Sequence, residues 1–171
     1  MPPRLRRFML TAHVVSSVGW LGAVAASLAL GLAGLTSRDA ETLRAVYLAM
    51  ELIGWLVLVP LSLASLLTGL VQALGTRWGL FRHYWVVFKL VINVFAAAVL
   101  LLYMQTLGYL AGVAASAGSD LSELESPSAA LHAGGALLLL LLAAMLSVYK
   151  PRGLTRYGQR RQHEQHAVSR S

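Results

Sequence analysis

FMLTAHVVSSVGWLGAVAASLALGLAGLTS, residues 8–37, runs from Phe8 to Ser37 without a formal charge. A helix rises ~1.5 Å per residue, so ~20 apolar residues cross a hydrocarbon core ~30 Å thick. This run exceeds that length. The basic start before it, Met1-Pro-Pro-Arg-Leu-Arg-Arg, has the look of a signal-peptide n-region. The apolar run is too long for a signal peptide, however, and no polar region sets off Ala23-Val-Ala as a cleavage site. It reads as an uncleaved first membrane span.

Three further stretches meet the same criterion. With the first they place spans at about 8–36, 46–74, 84–115 and 129–149, the second carrying Glu51 and the third Lys89. Between them lie 37–44, 75–83 and 116–128, rich in charges and turn residues. Pro151 closes the last span, because proline neither continues a helix nor favours one at the residue before it. The fold expected is all-α: an integral membrane four-helix bundle over 1–150, followed by a basic tail, 151–171, polar and without apolar periodicity.

Composition points the same way. Apolar residues make up 57% of the chain and charged ones 12%, about half the usual share of charge. A soluble domain of 171 residues leaves too much surface exposed to hide that much Leu, Val and Ala. The absence of cysteine excludes disulfides, thiolate metal sites and thiol catalysis. The net charge of +7 does not indicate nucleic acid, since the basic residues flank the apolar runs and fill the tail.

Those basic residues set an orientation. With the N-terminus inside, Arg4, Arg6, Arg7, Arg77, Arg82 and the six from Lys150 to Arg170 are all cytoplasmic, eleven against Arg38 and Arg44 outside. The positive-inside rule therefore gives both termini in the cytoplasm, in a bacterial plasma membrane. Trp78, Tyr84, Trp85 and Tyr149 fall at the inner boundary as an aromatic belt, and the tail suits anionic lipid headgroups. His163 and His166 in the tail have a metal-ligand spacing but read as solvated residues.

Within the spans, polar residues recur along helical faces. The first carries His13, Ser17, Trp20, Val24, Ser27 and Gly31; the second Glu51, Trp55, Leu58, Ser62, Ser65, Gly69 and Gln72. The third carries Lys89, Asn93, Ala96, Leu100 and Tyr103, and the fourth His132, Gly135, Leu139, Ala143 and Ser147. Small and hydroxylated positions are expected simply to pack helix on helix. The ionisable ones demand more, because a charge in hydrocarbon costs several kcal/mol unless paired or hydrated. Counting from the boundaries, His13 and Lys89 share a level ~7 Å inside the cytoplasmic face, and Glu51 and His132 share one near the outer face.

The pattern His13-x6-Trp20-x-Gly22 resembles the opening helix of copper-resistance D-type membrane domains and of HemJ-type protoporphyrinogen oxidases. Trp85-Val-Val-Phe-Lys89-Leu-Val is similar to the Trp…Lys-Leu segment of the HemJ type. That resemblance implies haem b held by a first-span histidine and a later lysine, here His13 and Lys89. Over about the first 110 residues the chain also resembles a group of uncharacterised small actinobacterial membrane proteins. The shared segments include Val18-Gly-Trp-Leu-Gly-Ala, Tyr47-Leu-Ala-Met-Glu-Leu-Ile-Gly-Trp and Leu67-Thr-Gly-Leu-Val-Gln-Ala-Leu-Gly-Thr.

Three functions stay open on these residues. One is a haem-binding redox protein, with His13 and Lys89 as iron ligands and Ser17 and Trp20 lining the pocket. Another is a non-enzymatic accessory or structural subunit, binding a membrane partner or a second copy through its polar stripes. The last is a proton or ion path through Glu51, His132, Lys89 and His13, with Asn93 on the same stripe as Lys89. No phosphate loop, nucleophile elbow, zinc-protease helix or dinucleotide fingerprint is present, so no enzyme class follows from a motif.

Overall fold

Pro3 opens the first helix at a position where its missing N–H is not needed, and α1 runs Pro3–Thr36. The helix thus begins before the apolar run, taking in Arg4, Arg6 and Arg7. The computed structural model describes residues 2–75, 80, 83–116, 120–149, 153, 155, 159 and 160. Over these the chain is all-helical. Arg77, Trp78, Arg82 and Pro151, and His163 and His166 of the tail, lie outside the described residues.

The second helix starts earlier than its apolar run. Asp39 accepts hydrogen bonds from the Thr42 amide at 2.9 Å and the Thr42 hydroxyl at 2.6 Å, an N-cap that lets α2 (Ala40–Ile53) begin inside the stretch read as a connection. A π-helical turn, Gly54–Leu58, follows, with the Val59 amide reaching back to the Gly54 carbonyl. The helix then continues as α3, Val59–Gly75. Pro60 accounts for the wide turn: it offers no amide to the Leu56 carbonyl four residues back and its ring crowds that carbonyl. The third apolar run is α4 (Tyr84–Ala115) and the fourth α5 (Ser128–Tyr149), preceded by a 3-10 turn at Ser122–Glu125.

The π turn corrects one reading of the second stripe. A constant ~100° per residue carries the face from Leu58 back through Trp55 to Glu51. A π turn spends one residue more per turn, so the inward positions become Gly54, Met50 and Tyr47. Trp55 is turned outward, 52% exposed.

The four long helices are each long and apolar enough to cross a membrane. They pack as a ring. α1 lies on α3, α5 and the α2 half of the second span, and α4 lies on α2, α3 and α5, while α1 and α4 scarcely touch across the diagonal. α1 and α5 cross closely at Gly31, where a Cβ would stand 3.0 Å from the Ala130 nitrogen and 3.1 Å from its Cα. A side chain there would require the two backbones to part by a few tenths of an ångström. At the same end, Tyr47 donates to the Leu124 carbonyl at 2.9 Å, and Arg44 donates to the Ala114 and Ser116 carbonyls at 2.6 and 2.7 Å, capping the C-terminus of α4. These bonds surround an apolar cluster of Leu43, Tyr47, Met50, Met104, Leu107 and Leu124. A second cluster sits midway along the bundle around Trp20, Val24, Leu58, Ala96 and Leu140. The outward faces are apolar too, with Leu102, Leu131 and Val148 largely exposed.

Candidate functional site

The polar side chains of α1, α3 and α4 converge near the end of the bundle where α1 and α4 begin. His13 projects from α1 toward α3. Its Nδ1 lies 3.0 Å from the Ser65 carbonyl and 3.1 Å from the Thr68 hydroxyl oxygen. A carbonyl only accepts, so in the neutral ring the proton is on Nδ1. The Thr68 hydroxyl donates to Ala64 at 2.6 Å, which leaves its oxygen free to share that proton. Nε2 is then an acceptor, and Lys89 Nζ reaches it from α4 at 3.2 Å.

The surroundings hold this arrangement. Ser17 and Ser65 hydroxyls are 2.7 Å apart, tying α1 to α3 one turn further on. The Gln72 amide donates to the Met9 carbonyl at 3.0 Å, doing the same one turn nearer the end. Asn93 is buried, and its amide donates to the Lys89 carbonyl at 2.7 Å, within α4. Gly69 lies flush with the imidazole, since a Cβ there would stand 3.0 Å from His13 Cε1. Among the described residues every buried side-chain nitrogen and oxygen has a hydrogen-bond partner.

The outer pair behaves differently. Glu51 is half-buried against α4, its Oε1 3.4 Å from where a Cβ on Gly108 would be. His132 sits on the exposed edge of α5, its ring stacked on Tyr103 with centroids 4.0 Å apart and planes at 16°. Its Nδ1 donates to the Ser128 carbonyl at 2.9 Å. The structure therefore brings His13 to Lys89 but does not join Glu51 to His132.

Trp20 also parts from His13 and Ser17. It lines a cavity of about 540 Å³ further along the bundle, together with residues of the other three long helices, and neither His13, Ser17 nor Lys89 belongs to that lining. Seven residues separate His13 from Trp20, about 10 Å along the axis. The polar donors and the open space thus occupy different stretches of the interior.

Thr68 is absent from the stripe that the sequence gives for the second span, though its place three residues after Ser65 and four before Gln72 marks the same face. The cavity's signal is the small-residue run Ala133-Gly-Gly-Ala136 on α5, which meets Ala96 of α4 across the open space. Small residues are expected in any helix interface, which hides a void as ordinary packing.

His13 and Lys89 offer donor atoms of the kind that ligate haem iron, but they are hydrogen-bonded to each other and lie outside the lining of the cavity. Both groups are nitrogen donors, and the Nδ1–H bond to a carbonyl is the usual anchor of a ligating histidine. Among the described residues no cluster of three or more His, Asp or Glu side chains stands ready for a metal ion. No family model, curated protein or solved structure matches this chain.

Proposed function

We propose that this chain is a multi-pass protein of the bacterial plasma membrane, with both termini cytoplasmic, that holds a b-type haem through His13 and Lys89. Membrane residence is supported by the four long apolar helices and their apolar outward faces. The orientation rests on the eleven basic residues that the N-in arrangement places in the cytoplasm. The observation that carries the cofactor reading is the convergence of two nitrogen donors from helices that scarcely touch.

A bound haem would supply one-electron chemistry. The chain's own residues do the rest. Ser65 and Thr68 fix the imidazole's tautomer and plane. Gly69 lets the ring lie close to α3, and the Ser17–Ser65 and Gln72–Met9 bonds keep α1 in register with it. The test is an absorbance spectrum, oxidised and reduced, of the detergent-purified protein made with a haem precursor. A near-stoichiometric Soret band that His13→Ala abolishes and Lys89→Ala shifts is the expected result. A colourless folded protein, or a band indifferent to both substitutions, removes the haem assignment.

One observation favours a second reading. Nε2 of His13, the ring nitrogen left to meet a metal, already accepts from Lys89 Nζ at 3.2 Å, so the pair is hydrogen-bonded to itself. In that reading the pair is a polar clasp of a non-enzymatic membrane subunit, which purifies colourless with a partner or as an oligomer. A proton path has less support, because the ionisable groups of the two levels are separated by the Trp20, Val24 and Leu58 cluster.

A further inference from the structure

The cavity reaches from the core of the bundle to its outside between α4 and α5. Its back wall is buried Trp20, Leu58 and Met104, and its mouth carries Phe95, Leu131 and Leu138, all more than half exposed. At about 540 Å³ it falls within the range of small-molecule sites, and far exceeds a packing defect. If the helices span a bilayer, as proposed above, the mouth opens sideways into lipid.

The lining specifies an occupant. Among its leucines it carries ring and thioether faces: Trp20, Phe95 and Tyr103, with Met50 and Met104. Aromatic and sulfur surfaces favour a ring between them over a saturated chain. Gly135 faces open space, since a Cβ built there meets nothing within 4 Å. The one imidazole in the lining, His132, has its Nδ1 proton committed to the Ser128 carbonyl. Its Nε2 is therefore an acceptor with no hydrogen bond among the described residues, at the exposed edge of α5, where a hydroxyl can donate to it.

We infer that this cavity binds a hydroxylated aromatic lipid of the hydroquinone class, entering from the bilayer between α4 and α5. The ring lies beside Met104 and Tyr103, a ring hydroxyl donates to His132 Nε2, and the apolar tail leaves past Leu131 and Leu138. This inference rests on the membrane part of the proposed function and is independent of the haem, because the cavity does not include His13 or Lys89.

The experiment is binding of a hydroquinone bearing a ten-carbon tail to the full chain in lipid nanodiscs, followed by quenching of tryptophan fluorescence. Decylbenzene, which has the ring and tail without hydroxyls, is the comparator. Gly135→Leu fills the open space and is expected to abolish saturable binding. His132→Phe keeps the stack on Tyr103, removes Nε2, and is expected to weaken the hydroquinone about tenfold while leaving decylbenzene unchanged. If Gly135→Leu does not yield folded protein, the His132→Phe comparison decides alone. Equal affinity for both probes, or no effect of His132→Phe, makes the cavity a slot for lipid chains and overturns the inference. The Soret measurement is unaffected by either outcome, so the two proposals fail separately.

Discussion

Nζ of Lys89 donates to Nε2 of His13 at 3.2 Å, joining α1 and α4 across a diagonal where their backbones scarcely meet. This bond is a direct polar link between two helices that otherwise meet through α2, α3 and α5. Removing one partner leaves the other's hydrogen-bonding capacity unmet in a half-buried place, at a cost of about 1–3 kcal/mol. His13→Leu and Lys89→Met should each destabilise by that order, and the double variant by less than their sum. A double-mutant cycle read by unfolding in mixed micelles checks it, with a coupling of about 1 kcal/mol expected. Additive losses would mean that the contact carries no energy.

The crossing of α1 and α5 depends on Gly31, whose missing side chain would meet backbone atoms of Ala130. Backbone cannot rotate away as a side chain can, so Gly31→Ala must push the helices apart. A loss of about 1–3 kcal/mol is expected. On the same helix, a methyl group at Gly22 would meet nothing within 4 Å, so Gly22→Ala should be neutral or slightly stabilising through helix propensity. Thermal melts of the two variants side by side separate close packing from a general effect of glycine.

Arg44 donates to the carbonyls of Ala114 and Ser116 at the end of α4. A cation at that position meets both unpaired acceptors and the negative end of the helix. Arg44→Ala should cost about 1 kcal/mol. The loss should show as faster hydrogen exchange around Ala114 and Ser116, with the Lys89 region unchanged.

Asp39 is the pH-sensitive cap. Hydrogen bonds from Thr42, side chain first and backbone second, hold its carboxyl below the ordinary carboxylate range. A lowered folded pKa gives a contribution present above the unfolded value of about 3.9 and lost as pH falls through the folded one. The first turn of α2 should therefore fray only in that acidic window. Exchange of the Thr42 amide measured against pH tests this, and Asp39→Ala should show the frayed behaviour at neutral pH.

Four long apolar helices can be read from run length alone, because ~20 uncharged residues have few other uses. The meeting of His13 and Lys89 is legible from depth. Both residues lie about five positions into apolar runs that point the same way, so equal counts give equal levels. Depth says nothing of angle, and that is where the outer pair separates. Glu51 precedes a π turn that shifts the inward face by one residue, and His132 lies on the edge of α5 that faces Tyr103. The start of α2 escapes a reading by apolar runs because a single Asp–Thr cap decides it. The cavity escapes it too, because small residues that line a void and small residues that close an interface are written alike.

The π turn at Gly54–Leu58 also divides the labour of one long helix: the α2 half rests chiefly on α4, and the α3 half chiefly on α1. Deleting one residue from that turn would remove almost no hydrophobic surface and break no motif. It would let the wide turn close to an ordinary α turn, because a π turn spends just one residue more, and Tyr47 would stay on Leu124 and Ser65 on His13. Size and polarity alone are not what this segment encodes: it holds one residue of slack, and the same deletion in the regular α turns on either side, which have none, would turn the two halves about 100° against each other.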